Sequence, residues 1–177
     1  MEKTILLVDD EPDIRDVLSL SLSDMGYQVY EAENGNEALR IFKEVQPSMV
    51  MTDIKMPGMD GVELLQKVKH ENPETEVIMM TGHGDMDLAI RSLKCEATDF
   101  ITKPINVDVL ELALQRVKEK IFTRQKLKEY TENLEQLVRE KMELQSHLAS
   151  LGLMIGSISH GIKGLHSFSY PTGSLSY

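Results

Sequence analysis

Short apolar runs alternate with amphipathic stretches along roughly the first 120 residues of the chain. The runs have the length of buried strands and are separated by polar residues, Gly or Pro. They are TILLV, YQVYEA, SMVMT, EVIMMT and DFIT. Helical patterns begin near Pro12, Gly35, Gly61, Asp85 and Asn106. This strict alternation predicts an α/β fold, with a doubly wound, five-stranded parallel sheet and helices on both faces.

A different pattern begins near Ile121, where seam positions recur at alternating steps of three and four. They are Leu127, Tyr130, Leu134, Leu137, Lys141, Leu144, Leu148, Leu151, Ile155, Ile158, Ile162 and Leu165. Lys141 is the only charged member. Such a repeat predicts a long C-terminal helix that pairs as a parallel dimeric coiled coil. The alternative is a single amphipathic helix lying on its own domain, which we disfavour because the sheet already has helices for both faces.

These patterns divide the chain into three predicted segments. Residues 1–120 form the α/β domain, residues 121–165 form the coiled-coil helix, and residues 166–177 form a tail. The tail, HSFSYPTGSLSY, is rich in serine and uncharged apart from its histidine. We expect a tail of this composition to be disordered.

The composition of the chain argues against several classes of function. The chain has 177 residues, 41% of them hydrophobic, which is enough for a substantial core. The single cysteine, Cys95, excludes an intrachain disulfide, and neither a signal peptide nor an apolar run of spanning length is present. We therefore expect a cytoplasmic protein. The net charge of −10 argues against binding to nucleic acid or to an anionic membrane.

Polar and charged residues follow the predicted strands. Asp9 and Asp10 follow the first strand, Asp53 the third, Thr81 the fourth and Lys103 the fifth. Sites in open parallel sheets form at the carboxyl ends of the strands, so these residues are expected to converge. Three carboxylates in one pocket need a cation to offset their repulsion, and they suit Mg²⁺. Capping of the helix at Pro12 explains one aspartate but not three.

Four motifs carry a family resemblance over residues 1 to about 120. VDDEPDI, MTDIKMPGMDG, MTGHGD and DFITKPI occur in this order at the ends of the predicted strands. Together they resemble the receiver domain of two-component response regulators. The resemblance implies a flavodoxin-like sheet of strand order 2-1-3-4-5. It also implies a phosphoacceptor signalling protein rather than an enzyme, in which Asp53 receives a phosphoryl group from the phosphohistidine of a sensor kinase.

The resemblance further implies the ligands of Mg²⁺. Asp10 and Asp53 bind the ion directly, the backbone carbonyl of Lys55 is a third protein ligand, and Asp9 acts mainly through water. Phosphoryl transfer depends on alignment and on neutralising charge, which is the chemistry this set would supply.

Lys103, Thr81 and Phe100 match the remaining functional positions of the family. Lys103 adds a positive charge at the phosphoryl group, and a cis peptide bond to Pro104 is implied. Thr81 and Phe100 match the switch pair, in which the threonine hydroxyl binds the phosphoryl group and the ring fills the vacated space. The alternatives are a surface lysine before a turn, a strand-forming threonine and a static core phenylalanine.

Two local features complete the comparison with the family. In KMPGMDG, Pro57 presets the loop, and Gly58 and Gly61 permit conformations closed to other residues. The family usually has Gly-Ala where this chain has Glu96-Ala97. We expect that departure to affect the surface rather than the phosphorylation chemistry.

Two other α/β classes fit poorly. A phosphatase of the haloacid dehalogenase type needs a second aspartate two residues after its nucleophile, where this chain has Lys55. A flavodoxin-like electron carrier needs a hydroxyl-rich phosphate loop after the first strand, where DDEPD would repel phosphate. We therefore favour a receiver that signals through its coiled-coil extension.

The stretch GSISHGIKGL carries a second, weaker resemblance, to the phosphoacceptor box of histidine kinases. His160 falls at the outermost heptad position, which suits presentation to another protein or an ordinary solvated residue. Gly161 stands where that family usually has an acidic residue, and no glycine-rich ATP-binding boxes occur in the sequence. The alternative function is therefore the N-terminal part of a receiver-first hybrid histidine kinase, with His160 as a second phosphoacceptor.

Overall fold

The computed structural model describes residues 3–82 and 84–165, the latter without the side chains of Met86 and residues 154–165. The described chain divides into two compact units, Met1–Thr123 and Arg124–Tyr177. The predicted tail of residues 166–177 lies outside the described residues. Within the described part, no helix is both long enough and apolar enough to cross a membrane.

The first unit alternates strands and helices as the sequence predicts. The strands are β1 (Thr4–Val8), β2 (Gln28–Ala32), β3 (Met49–Asp53), β4 (Glu76–Thr81) and β5 (Asp99–Thr102). The helices are α1 (Pro12–Asp24), α2 (Gly35–Val45), α3 (Gly61–Glu71), α4 (Met86–Lys94) and α5 (Val107–Leu165). All strand pairs are parallel, in the order β2-β1-β3-β4-β5. This confirms the doubly wound fold and the long C-terminal helix.

The element boundaries differ from the prediction by a residue at several places. β2 begins at Gln28 rather than Tyr27, because the Tyr27 amide donates to the Leu22 carbonyl at 3.0 Å and closes the turn after α1. Asp53 is the last residue of β3 and pairs with Met80, so it is held by the strand itself. Helices α4 and α5 each begin one residue later than predicted.

Side chains of β1 show why the sheet is covered on both faces. Leu6 and Val8 pack into a cluster with α2 and α3, whereas Ile5 and Leu7 pack into a second cluster with α1 and α5. All four are at most 1% exposed. Each fully buried side chain of this size stabilises the fold by about 1.5–3 kcal/mol relative to exposure. Two cores of this kind hold the strand ends in fixed register.

Candidate functional site

The carboxyl ends of the strands bring the predicted residues to one edge of the sheet. Asp53 ends β3 and Thr81 ends β4, while Asp9 follows β1 and Lys103 follows β5. Backbone bonds continue past the strands: the Lys103 amide donates to the Thr81 carbonyl at 2.7 Å, and the Asp9 amide donates to Ala32 at 3.2 Å. The position of each functional residue is therefore set by the ladder of the sheet.

The loop after β3 folds tightly against the strand it leaves. The Gly61 amide donates to the Ile54 carbonyl at 2.9 Å, and a Cβ on Gly61 would lie 2.0 Å from the Asp53 carbonyl oxygen. Gly58 has a φ of +79°, which glycine adopts readily. The predicted need for glycine is confirmed, but at Gly61 its cause is close backbone approach rather than an unusual φ.

Lys103 joins three carboxylates. Its Nζ lies 2.7 Å from Asp53 Oδ2, 2.8 Å from Asp9 Oδ2 and 3.6 Å from Glu11 Oε1. The cis peptide bond between Lys103 and Pro104 is present. A lysine with a 16% exposed side chain and these contacts is not an ordinary surface residue before a turn.

Burial is the main influence on the pKa of Asp53 at this site. Burial raises the pKa of Asp53, and the charge of Asp9 adds to this, while Lys103 and the Lys55 amide oppose it; the net shift is upward. Burial lowers the pKa of Lys103, but its contacts with Asp53 and Asp9 outweigh burial and raise it. One lysine thus compensates the buried carboxylates only in part.

Three carboxylates form a group that suits a divalent cation. Ligand oxygens of Asp9, Asp10 and Asp53 lie within 4.8 Å of one another. Asp9 is fully buried, and its Oδ2 is ion-paired with Lys103 Nζ at 2.8 Å. A carboxylate oxygen has more than one lone pair, so this contact leaves capacity for a metal-bound water. The donor set consists of hard oxygens, as Mg²⁺ requires.

Asp9 has a local role that the sequence analysis missed. Its Oδ1 accepts from the Glu11 amide at 3.0 Å, and its carbonyl accepts from Arg15 Nη1 at 2.6 Å. The Asp9 side chain therefore shapes the turn that leads into α1. The residue preceding Pro12 makes no side-chain capping bond, so capping does not account for the aspartates.

The predicted switch residues occupy suitable but unequal environments. Thr81 is 2% exposed at the end of β4, next to the carboxylate group. Phe100, on β5, is partly buried and packs against the α2–α3 cluster. Their described positions are compatible with a switch and with static packing alike.

Two ion pairs involving acidic residues were not anticipated. Lys55 Nζ lies 2.5 Å from Asp85 Oδ1 and joins the loop after β3 to the start of α4. At the opposite edge of the sheet, buried Glu76 accepts from the Thr98 hydroxyl and pairs with Lys120 Nζ at 2.9 Å. Local sequence patterns gave no signal for either pair, because the partners lie in different elements.

Comparison with known proteins agrees with this geometry. The family model for the response regulator receiver domain matches residues 5–115. The chain belongs to the response regulator receiver family. Receiver domains are phosphoacceptor signalling modules of two-component systems that receive phosphate from sensor histidine kinases, and they bind Mg²⁺ at an acidic cluster.

Curated relatives differ in how much of their length is matched. The chain is 38% identical to regulatory protein AtoC of Escherichia coli over 63% of this chain and 24% of that protein. It is 36% identical to sporulation initiation phosphotransferase F of Bacillus subtilis over 66% of this chain and 94% of that protein. The receiver thus matches about a quarter of the AtoC chain and nearly all of the sporulation protein.

Solved structures give the same result. A receiver domain protein from Clostridium thermocellum superposes with a TM-score of 0.64 and 36% identity, covering 70% of this chain and 97% of that one. NtrX from Brucella abortus superposes with a TM-score of 0.70 and 36% identity, covering 73% of this chain and 29% of that one.

The second unit contributes no residue to the carboxylate group among the described residues. Its apolar seam side chains from Leu127 to Leu151 are exposed in the single chain. The backbone of His160 is helical, but its side chain lies outside the described residues.

Proposed function

We propose that Asp53 accepts a phosphoryl group from the phosphohistidine of a sensor kinase. The observation that carries this proposal is the Lys103 Nζ contact with Asp53 Oδ2 at 2.7 Å, inside the group formed by Asp9, Asp10 and Asp53. A nearly buried carboxylate beside a lysine and two further carboxylates is a site for a phosphoryl anion together with a divalent cation.

The transfer is a displacement at phosphorus. A carboxylate oxygen of Asp53 attacks, the P–O bond forms as the P–N bond to the kinase histidine breaks, and the imidazole leaves. Lys103 is the residue placed to bind a phosphoryl oxygen as charge develops. Its raised pKa keeps it cationic during that step.

Mg²⁺ fits the same residues. Asp10 and Asp53 would bind it directly with the Lys55 backbone carbonyl, and Asp9 would act mainly through water. When bound, the ion neutralises negative charge on the phosphoryl oxygens. One lysine faces the carboxylates of Asp9, Glu11 and Asp53, and the negative charge that remains favours a cation at this position.

Thr81 and Phe100 are proposed to read the modification. The Thr81 hydroxyl would bond a phosphoryl oxygen, and the Phe100 ring would occupy the space released. Thr81 ends the strand adjacent to Asp53, and its neighbour β5 carries Phe100, so the two lie on paired strands.

Homodimerisation through residues 121–165 is the proposed means of output. Large apolar side chains repeat along this helix with the spacing of a coiled coil, and those described from Leu127 to Leu151 face solvent in the single chain. A second copy of the chain would cover them.

The phosphoacceptor is tested by labelling with acetyl phosphate and Mg²⁺. We expect one phosphoryl group that is lost in alkali and released by hydroxylamine, as an acyl phosphate is, and that is absent from Asp53→Asn. Lys103→Met should retain Mg²⁺ binding yet lose most of the labelling. Unchanged labelling of Asp53→Asn would show that another residue accepts the phosphoryl group.

His160 supports a second candidate function, that of a hybrid kinase phosphoacceptor. The supporting observation is its place at the outermost heptad position within GSISHGIKGL. The test incubates Asp53→Asn with a purified kinase ATPase domain and labelled ATP. Alkali-stable label that disappears in His160→Gln would establish a phosphohistidine, and its absence would leave Asp53 as the proposed phosphoacceptor of this chain.

A further inference from the structure

Eight positions of the second unit form a continuous surface, here called the seam. Seven apolar members flank one lysine: Leu127, Tyr130, Leu134, Leu137, Lys141, Leu144, Leu148 and Leu151. The apolar side chains are between 42% and 65% exposed in the single chain. A surface of this size needs a partner, because exposed patches of contiguous large apolar residues are rare on monomers.

The apolar members of the seam do not determine whether the partner helix runs parallel or antiparallel. The seam alternates between two kinds of position. After one kind the next seam residue comes three positions later, and after the other it comes four positions later. Leucine occupies both kinds. A parallel or an antiparallel second helix would cover leucines equally well. Neither does the pattern match the combinations of β-branched residues that select an oligomer. Any orientation signal must come from the polar residues at the seam.

Charged residues beside the seam are few. At the flanking positions that contact a partner helix, Lys126 and Glu140 carry formal charge at pH 7, whereas Thr131, Asn133, Val138, Gln145 and His147 do not. Lys126 is already paired with Glu129 at 2.8 Å. Glu140 Oε1 accepts from the Gln136 side-chain amide at 3.0 Å, a neutral donor. Glu140 is therefore the flanking charge that is open to an ion pair among the described residues.

Lys141 is the complementary charge. It directly follows Glu140, and adjacent residues on a helix point away from each other, so the two do not pair within one chain. In a parallel, in-register pair, a lysine at this seam position packs beside the preceding flanking residue of the other helix. Each Lys141 then meets Glu140 of the second copy, and two-fold symmetry produces the contact twice. An antiparallel pair instead places Lys141 opposite leucine.

We infer that the seam binds a second copy of this chain in parallel and in register, and that reciprocal Lys141–Glu140 contacts select this arrangement. The inference rests on the proposed homodimer, keeps the parallel orientation expected from the heptad repeat, and adds the register and the residues that determine both. A single lysine at a seam position lowers the stability of the dimer but specifies its register and oligomeric state.

Disulfide trapping tests orientation and register. In a Cys95→Ser background, Leu137→Cys and Leu144→Cys are made separately, with Ser146→Cys as the outward-facing control. We expect both seam variants to cross-link rapidly as full chains and the control to remain reduced. In an antiparallel pair a residue lies opposite its own copy only at the centre of the overlap, so at most one of the two cysteine variants can cross-link. In a parallel pair with shifted register no residue lies opposite its own copy, so neither variant can cross-link. Either result overturns the inference.

Charge exchange tests the two residues named. Lys141→Glu and Glu140→Lys should each weaken the homodimer by about tenfold, since two attractive contacts become repulsive ones. The double exchange in one chain should restore it. Mixing the two single variants should yield mainly heterodimers, because both contacts are then attractive. Unaltered homodimers, or mixing without preference, would show that these charges do not select the partner.

The outcomes separate this inference from the proposed function. If sedimentation shows monomers at all concentrations, the homodimer itself fails. If dimers form but the cysteines do not trap as expected, only orientation and register fail. Acetyl phosphate labelling of Asp53 reports on the receiver independently of both.

Discussion

The two units of the chain differ in the burial of their apolar side chains. In Met1–Thr123, alternate side chains of the central strands enter two cores, and residues such as Leu6 and Leu64 are fully buried. In the second unit, Leu137 and Leu144 have the same chemistry but remain 60% and 59% exposed. The difference shows that the apolar side chains of the first unit are covered within the chain, whereas those of the second unit form a surface that another helix can cover.

The same contrast applies to charge. In the first unit, Lys103 contacts carboxylates contributed by segments up to 94 positions away in the chain, from Asp9 onward, and is largely withdrawn from solvent. In the second unit, ion pairs such as Lys126–Glu129 join neighbours one turn apart on the surface. Exposed pairs of that type contribute little to stability. The charged side chains of the candidate site therefore lie where segments that are distant in the sequence converge.

The largest expected effect comes from removing one carboxylate of the site. Asp10→Ala should abolish Mg²⁺-dependent labelling by acetyl phosphate, because Asp10 is the exposed carboxylate of the group and the proposed direct ligand. Asp16→Ala, an exposed aspartate of α1, is the matched control and should label normally. Mg²⁺ binding is followed by intrinsic tyrosine fluorescence or calorimetry. Full labelling of Asp10→Ala would remove it from the proposed ligand set.

Truncating one leucine in each unit tests whether its side chain stabilises the receiver fold or the association of two chains. Leu64→Ala should lower the free energy of unfolding by about 2–5 kcal/mol, because Leu64 is fully buried in the α2–α3 cluster. Leu137→Ala should leave the receiver's unfolding transition unchanged and weaken self-association instead. Urea denaturation and sedimentation, performed on both variants, separate the two effects. A large loss of receiver stability in Leu137→Ala would contradict the division.

The pH dependence tests the effect of burial on Asp53. Because the pKa of Asp53 is raised, its proton should compete with Mg²⁺ and with labelling at higher pH than an ordinary aspartate would. The folded state binds this proton more tightly than the unfolded chain, so the contribution of Asp53 to stability falls as pH rises from its unfolded to its folded pKa.

Asp53→Asn provides the control for this titration. Measured in EDTA, the difference in unfolding free energy between the native chain and Asp53→Asn should change with pH in the direction given above. A difference that is constant across the acidic range would mean that Asp53 titrates as it does in the unfolded chain.

The smallest effect is expected at Glu96, on the exposed turn before β5. Its φ is +69°, in the left-handed region that glycine adopts with least strain. Glu96→Gly should stabilise the receiver by about 1 kcal/mol through relief of that strain. Glu96→Ala keeps the strain while removing the charge, so it should not reproduce the gain. Equal stabilisation by both variants would assign the effect to charge.

Much of the receiver could be predicted from local sequence. Runs such as EVIMMT and DFIT marked β4 and β5 at their observed bounds, because their central residues are apolar and the runs are bounded by polar residues. The alternation of elements then specified a parallel sheet, and a parallel sheet places Asp9, Asp53 and Lys103 at one edge. The strand order came from the family resemblance. The heptad spacing predicted the long helix, while its pairing stays a prediction.

Tertiary structure alone decided how the converging residues contact one another. That Lys103 joins Asp9 and Asp53, that Lys55 pairs with Asp85, and that Glu76 is buried beside Lys120 depend on distances between separate elements. The sequence also showed a departure from the family at Glu96 but not its left-handed backbone, which follows from how the chain turns into β5. Local patterns report which side chains are buried, because burial repeats with the period of the helix or strand. Pairings between elements have no such period, so only the folded chain determines them.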